Sequence, residues 1–128
     1  MAEPLHSLGL LRSCNSNDIA SRVQLDCLVN NAGCNVRASM NEATEEQYET
    51  ILRTNMDGSY FLCKMAHPLL TKGTRPCIVN VSSVAGVGST GTGAIYAMSK
   101  AAIIQLTKSL ACLYPPESPP SHACLYPP

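Results

Sequence analysis

The 128-residue sequence has no tryptophan, one phenylalanine and no net charge. Nine basic residues are balanced by nine acidic residues without a basic patch, which argues against a nucleic acid as the partner. No apolar run approaches the roughly 18 residues that a membrane-spanning helix requires. Glu3 and the short apolar stretch 8–11 do not fit a signal peptide. The length and composition predict one domain that binds neither nucleic acid nor membrane.

The cysteine pattern lacks the usual marks of a disulfide framework or a metal site. The seven cysteines are odd in number and include no Cys-x-x-Cys pair. Several lie in apolar segments, where a reduced cysteine behaves as a small hydrophobic side chain. This usage predicts a reducing, cytoplasmic location. The three histidines have no metal-ligand spacing to cysteines or acids, so we predict no metal site.

Tyr96 and Lys100 are four residues apart, with Ser83 thirteen residues upstream. On a helix, residues at i and i+4 share a face. A cation beside a phenol favours the phenolate and lowers the phenol pKa, and a general acid works best with a pKa near the operating pH. A serine hydroxyl at a preceding strand end can hold a substrate oxygen. The pattern therefore predicts a proton-transfer site.

Strand and helix signals alternate along the chain. Residues 25–30 and 77–81 are short apolar runs typical of buried parallel strands. Thr44 begins a capping box and a predicted helix that runs to about Leu70. Residues 94–111 carry a second helical pattern. Strand–helix–strand–helix order predicts an α/β domain with a parallel sheet.

Gly86, Gly88 and Gly91 match the glycine spacing of a dinucleotide-binding turn. That turn requires a tight connection between strand and helix and an acidic residue about twenty residues on. Here the predicted helix begins late, and the later segment is rich in proline. A mobile loop on the substrate side, between Ser83 and Tyr96, is the better interpretation.

Four motifs stand at characteristic spacings: Asn30-Asn31-Ala32-Gly33, an isolated helical Asn55, Val81-Ser82-Ser83-Val84-Ala85-Gly86, and Tyr96-x-x-x-Lys100. In these motifs and their spacings the chain resembles the short-chain dehydrogenase/reductase family. The resemblance covers residues 25–111, and the sequence around the motifs, including residues 108–111, is most similar to tropinone-reductase-type members.

The resemblance implies a role for each catalytic residue. Tyr96 would be the general acid in reduction and the base in oxidation. Lys100 would lower the Tyr96 pKa and bind the nicotinamide ribose, and Ser83 would hold the substrate oxygen. Asn55 would hold a water molecule that links Lys100 to solvent. The implied function is an NAD(P)-dependent oxidoreductase that interconverts a carbonyl and a secondary alcohol on a small molecule.

The resemblance also implies the cofactor contacts and the fold. Asn31, Ala32 and Gly33 would lie beside the ribose of NAD or NADP, together with Tyr96 and Lys100. The expected fold is the central portion of a Rossmann-like, doubly wound parallel sheet. The family's glycine-rich pyrophosphate turn has no counterpart, because Gly9 is the only glycine before Gly33. Cofactor binding and activity by this chain alone are therefore in question.

The two ends depart from the family pattern, which indicates truncation at both. Residues 1–24 carry weak signals, and residues 25–111 form the predicted core fragment. Residues 112–128 hold six of the nine prolines, and residues 123–128 repeat the Ala-Cys-Leu-Tyr-Pro-Pro of residues 111–116. The proline content predicts a disordered tail.

Two other interpretations stay open beside the enzyme. One is a non-catalytic remnant that pairs with a full-length relative, or with itself, through the helix after Asn55 and the helix that carries Tyr96, which the resemblance implies as interface helices. The other is an unrelated interaction module with a proline-rich tail.

Overall fold

The computed structural model describes residues 23–113 and 122–126. Within them, strands and helices alternate along the chain as predicted. Most of the uncertain segment 1–24 and residues 114–121 and 127–128 lie outside the described part. The elements are β1 (Cys27–Asn30), α1 (Glu45–Leu52), a π-helical turn (Arg53–Asp57), α2 (Gly58–Leu70), β2 (Cys77–Val81), a 3₁₀ turn (Val84–Gly86), α3 (Ala94–Leu113) and β3 (His122–Tyr126).

The three strands form one parallel sheet in the order β1-β2-β3. Cys27 of β1 is the Cα partner of Cys77, and Cys77 is the partner of His122 on β3. Each parallel connection passes through helix, as such connections require. The α/β class and the parallel sheet are confirmed.

The predicted capping box begins α1. The backbone N–H of Gln47 donates to the Thr44 hydroxyl at 3.2 Å, and the Thr44 N–H donates to the Gln47 side-chain oxygen at 3.1 Å. Glu45 and Glu46 follow in the first turn, where negative charge favours the helix dipole. The helix start is therefore set by local sequence, as predicted.

The apolar core lies on one face of the sheet. Cys63, Ala66 and Leu70 of α2 pack on Ile78 of β2, with partly buried contacts from Leu25, Leu28 and Leu110. Because Leu110 lies on α3, both long helices cover this face. Val29 points to the other face and is 56% exposed. The described residues thus supply one of the two helical layers of a doubly wound sheet.

The structure differs from the predicted disordered tail at 112–113 and 122–126. Helix α3 continues through Leu113, and residues 122–126 pair in parallel with β2. Proline neither extends a helix nor joins the middle of a sheet, but no proline lies within residues 112–113 or 122–126. The free edge of β2 offers hydrogen-bond partners for a short proline-free strand. The helices of the described part are all too short or too polar to cross a bilayer.

Candidate functional site

Lys100 lies buried against the end of β2. It is 5% exposed, and its Nζ donates to the carbonyl oxygen of Val81 at 3.0 Å. The same Nζ is 5.7 Å from the centroid of the Tyr96 ring, one turn earlier on α3. Burial lowers the pKa of Lys100 from its ordinary value of 10.5. The predicted pairing of phenol and ammonium on one helix face is present.

Asn55 reaches the same region from a different element. It lies in the π-helical turn between α1 and α2, a type of distortion that is frequent at functional sites. The backbone N–H of Cys34 donates to Asn55 Oδ1 at 2.8 Å, and Asn55 Nδ2 donates to Cys34 O at 3.0 Å. Asn55 Nδ2 also donates to Ser99 Oγ at 2.9 Å. These bonds fix the orientation of an amide that is 1% exposed.

Gly33 is the point where these groups meet. A Cβ at this position would lie 3.4 Å from both Asn55 Oδ1 and Lys100 Nζ. The two side chains therefore approach the same stretch of backbone after β1. A larger residue at position 33 would occupy space beside the ammonium.

An open cleft of about 280 Å³ lies beside Gly33 and Lys100. Four of the predicted residues line it: Asn31, Gly33, Tyr96 and Lys100. Cys34, Asn35, Val81 and Ser82 complete its lining. The cleft thus offers an amide, a phenol and an ammonium at the carboxyl ends of β1 and β2, where open α/β sheets bind ligands.

Three predicted residues lie beside this cleft rather than in its lining: Asn55, described above, and Ser83 and Ala32. Ser83 is buried at the start of the 3₁₀ turn, and its hydroxyl accepts from the Ala85 N–H at 3.2 Å. Ala32 lines a neighbouring cavity of about 270 Å³, which it shares with Asn31. The structure therefore brings Asn31, Gly33, Asn55, Tyr96 and Lys100 together, and places Ser83 and Ala32 next to them.

Three contacts that the sequence did not predict involve the Tyr96–Lys100 segment of α3. The Ser82 hydroxyl donates to Lys100 O at 2.8 Å, and the Ser99 hydroxyl donates to Tyr96 O at 2.7 Å. Gly86 packs so closely that a Cβ there would lie 2.8 Å from the Lys100 carbonyl carbon. The only sequence signal was that Ser82, Gly86 and Ser99 fall inside the motifs already identified.

The loop between the 3₁₀ turn and α3 borders a second cleft of about 750 Å³. Residues 88–94 line one side, and Arg37, Ser39 and Glu42 are among those that line the other. A hydrogen bond joins the segment after β1 to this loop, because Asn35 Nδ2 donates to Thr92 O at 2.9 Å. Since α3 begins at Ala94, after the last of the three spaced glycines, the tight strand–helix turn of a dinucleotide fingerprint is not formed here.

Within residues 23–113 and 122–126, no group of three or more histidine, cysteine or acidic side chains is arranged to hold a metal ion. The polar residues of the site are instead amides, hydroxyls, a phenol and an ammonium.

The family model described as short chain dehydrogenase matches residues 16–118. The chain therefore belongs to the short-chain dehydrogenase/reductase family. A tropinone reductase homolog from Datura stramonium is 45% identical over 95 residues, which cover 74% of this chain and 35% of that protein. The tropinone reductase homolog At5g06060 from Arabidopsis thaliana is 43% identical over 70% of this chain and 34% of its own length. The chain thus spans about a third of the curated relatives it matches.

Solved structures of the same family have the same fold. A short-chain dehydrogenase/reductase from Burkholderia xenovorans superposes with a TM-score of 0.73 at 26% identity, over 86% of this chain and 44% of that one. An oxidoreductase from Brucella ovis, in complex with a partially ordered NAD, superposes with a TM-score of 0.72 at 27% identity, over 84% of this chain and 51% of that one. A gluconate 5-dehydrogenase from Burkholderia cenocepacia, in complex with NADP and tartrate, superposes with a TM-score of 0.69 at 28% identity, over 76% of this chain and 38% of that one. The Rossmann-like fold is confirmed.

Proposed function

We propose that this chain carries the catalytic segment of an NAD(P)-dependent oxidoreductase that interconverts a carbonyl group and a secondary alcohol. The observation that supports this most strongly is the convergence of the Lys100 ammonium and the Asn55 amide at Gly33, beside the cleft that Gly33, Tyr96 and Lys100 line. Membership of the family supports the same class of reaction.

In this proposal Tyr96 carries the proton. Its phenol donates a proton to the substrate oxygen in reduction and takes one back in oxidation. The buried Lys100 ammonium, 5.7 Å from the ring centroid, stabilises the phenolate, because opposite charges attract more strongly away from water. The Ser83 hydroxyl accepts from Ala85 N–H, so its own hydrogen is available to a substrate oxygen.

In this proposal Asn55 takes part in a proton relay and does not contact the substrate. Cys34 and Ser99 fix its amide with Oδ1 on the side of Gly33 that Lys100 also approaches. We assign it to hold a water molecule that passes protons between Lys100 and solvent. A buried amide with a fixed orientation suits this role because it does not have to reorganise when the water moves.

The residues of the smaller cleft fit the nicotinamide-ribose part of NAD or NADP. Ribose hydroxyls and a carboxamide need hydrogen-bonding groups, and Asn31, Tyr96 and Lys100 supply them at the glycine-lined edge formed by Gly33. When bound, the nicotinamide supplies or accepts the hydride. The solved relatives in complex with NAD and with NADP support this class of cofactor and leave open which of the two is used.

The larger cleft is the candidate substrate side. It is adjacent to α3 at Ala97, one residue after Tyr96, and is bordered by the loop 88–93. Its volume of about 750 Å³ lies within the usual range for small-molecule sites. We therefore place a small carbonyl or alcohol substrate there, between this loop and the segment after β1.

The test is turnover of NADH and NADPH with a panel of ketones and of NAD⁺ and NADP⁺ with secondary alcohols. Tyr96→Phe should lower kcat/KM by about 10²–10⁴-fold, the usual contribution of a general acid. Tyr60→Phe, at an exposed tyrosine of α2, is the control and should leave turnover unchanged. Equal activity in Tyr96→Phe and the unaltered chain would refute the assignment.

A non-catalytic pairing function is the second candidate, and it depends on an exposed apolar patch of α2. Tyr60, Phe61 and Met65 are 49%, 51% and 62% exposed. Burial of such side chains in a helix–helix contact with a full-length relative, or with a second copy, would be favourable. Phe61→Lys should weaken complex formation measured by sedimentation, whereas Met40→Lys, at another exposed apolar residue, should not. Equal effects of both substitutions would exclude this patch.

A further inference from the structure

Among the described residues that line the larger cleft, Arg37 is the one cation and Glu42 the one anion. Glu42 is already engaged, because the Ser39 hydroxyl donates to its Oε2 at 2.7 Å. The Arg37 side chain is exposed and has no hydrogen bond or ion pair in the described part of the chain, whereas Arg53 pairs with Glu49 at 3.1 Å. The N–H donors of the Arg37 guanidinium are therefore free to bind a ligand in the cleft.

Two contacts restrain the backbone on either side of Arg37 against the loop that borders the cleft. Before it, Asn35 Nδ2 donates to Thr92 O at 2.9 Å. After it, the carbonyl oxygen of Ala38 lies 3.9 Å from the position that a Cβ on Gly93 would take. The point at which the Arg37 side chain leaves the backbone is therefore held beside the cleft. A ligand that binds the guanidinium does not have to order this segment first.

Another part of the same cleft lies next to the proposed reacting groups. Ala85 and Ala97 belong to its lining. The Ala85 N–H donates to the Ser83 hydroxyl at 3.2 Å, and Ala97 directly follows Tyr96 in α3. A substrate whose oxygen meets Ser83 and Tyr96 would therefore have the rest of its atoms in a space that Arg37 also borders.

Given the proposed oxidoreductase function, on which this assignment rests, we propose that the substrate is an oxo acid or hydroxy acid and that Arg37 binds its carboxylate. A planar guanidinium pairs with the two oxygens of a carboxylate through parallel hydrogen bonds, and it stays charged throughout the working pH range. The carboxylate lies at a distance from the reacting carbon, so Arg37 selects the substrate and takes no part in proton transfer.

The charge of the cleft favours a carboxylate over a phosphate ester. Arg37 and Glu42 together bring no net charge to the described lining. A phosphate ester carries close to two negative charges at neutral pH, and Glu42 repels a dianion more strongly than a monoanion. One guanidinium matches the single charge of a carboxylate.

The experiment measures binding in the absence of cofactor and turnover, so it does not depend on whether the chain is active. The isotope-labelled 128-residue chain is titrated with levulinate and with levulinamide, and chemical-shift changes give the two dissociation constants. These ligands carry a carboxylate and an uncharged amide on the same oxo-carbon skeleton. We expect the acid to bind at least about 10-fold more tightly, the lower end of what a hydrogen bond to a charged group contributes.

Three variants assign this preference to one side chain. Arg37→Gln should weaken levulinate binding by about 10-fold and leave levulinamide binding unchanged. Arg37→Lys should retain part of the preference, because it keeps the charge and loses the planar pair of donors. Arg75→Gln, at an exposed arginine outside the lining of the cleft, is the control and should leave both affinities unchanged.

Equal affinity for the acid and the amide in the unaltered chain, or no saturable binding of either, would overturn the proposal. An equal loss in Arg37→Gln and Arg75→Gln would do the same, as would Arg37-dependent binding of methyl phosphate that is tighter than that of levulinate. Ketone turnover that depends on Tyr96, found together with any of these results, would leave the proposed function in place and remove only the anionic substrate.

Discussion

Replacing Gly86 by alanine tests how the 3₁₀ turn that follows Ser83 is docked on the helix that carries Tyr96. A Cβ at Gly86 would lie 2.8 Å from the carbonyl carbon of Lys100 and 2.9 Å from both Lys100 O and Ala101 N. All three are backbone atoms, so no side-chain rotation relieves the contact. The 3₁₀ turn and α3 must instead separate by about 1 Å to restore ordinary van der Waals distance.

The cost follows from overpacking. Forcing an extra carbon into a packed contact costs about 1–3 kcal/mol. Alanine in place of glycine also restricts the unfolded chain, which returns about 0.4–1 kcal/mol. We therefore expect Gly86→Ala to lower the free energy of unfolding by about 1–2 kcal/mol. It should also displace Lys100 from the cleft.

Urea unfolding followed by circular dichroism measures this cost, with two glycines as matched controls. Gly88→Ala should be neutral or slightly stabilising, because no atom lies within 4 Å of the added Cβ. Gly73→Ala should destabilise comparably, since its Cβ would lie 2.5 Å from the Leu25 carbonyl oxygen, yet it should spare the cleft. A Gly86→Ala stability equal to that of Gly88→Ala would refute the close docking of the turn on α3.

Two further predictions concern the buried polar groups of the site. Ser99→Ala removes an acceptor from the buried Asn55 amide and should cost about 1–3 kcal/mol, whereas Ser109→Ala, on the same helix, should change stability by less than about 0.5 kcal/mol. Urea melts measure both, and equal losses would contradict the role of Ser99. Burial lowers the pKa of Lys100 below its ordinary value of 10.5. At a pH between these two pKa values, Lys100 therefore holds fewer protons in the folded chain than in the unfolded chain, and the stability rises with pH. The unfolding free energy of the unaltered chain minus that of Lys100→Met should therefore rise as the pH is raised towards 10.5. A flat or falling difference would be inconsistent with a buried ammonium.

Local patterns in the sequence were sufficient for most of the elements. The Thr44 capping box begins a helix because its two hydrogen bonds form within four residues. The apolar run 77–81 is a strand with the predicted bounds. The face shared by Tyr96 and Lys100 follows from helix geometry alone, which is why the spacing of the two residues was informative.

Features that depend on contacts between distant segments could not be predicted in this way. The π-helical turn around Asn55 coincides with bonds to Cys34 and Ser99, which lie 21 and 44 residues away. The strand at 122–126 depends on the free edge of β2, and its own composition suggested a disordered tail. Likewise, the contact between Gly86 and the backbone of α3 depends on how the 3₁₀ turn packs against the helix. The spacing of apolar residues in the sequence does not predict that packing.

The central claim is that residues around Gly33 and Lys100 form the nicotinamide-ribose part of a cofactor site. Binding of NADH and NADPH to the purified chain, followed by nicotinamide fluorescence, tests it most directly. We predict saturable binding that Lys100→Ala weakens and that Lys108→Ala, at an exposed lysine of the same helix, leaves unchanged. No saturable binding at millimolar cofactor, or equal binding by both variants, would contradict the claim.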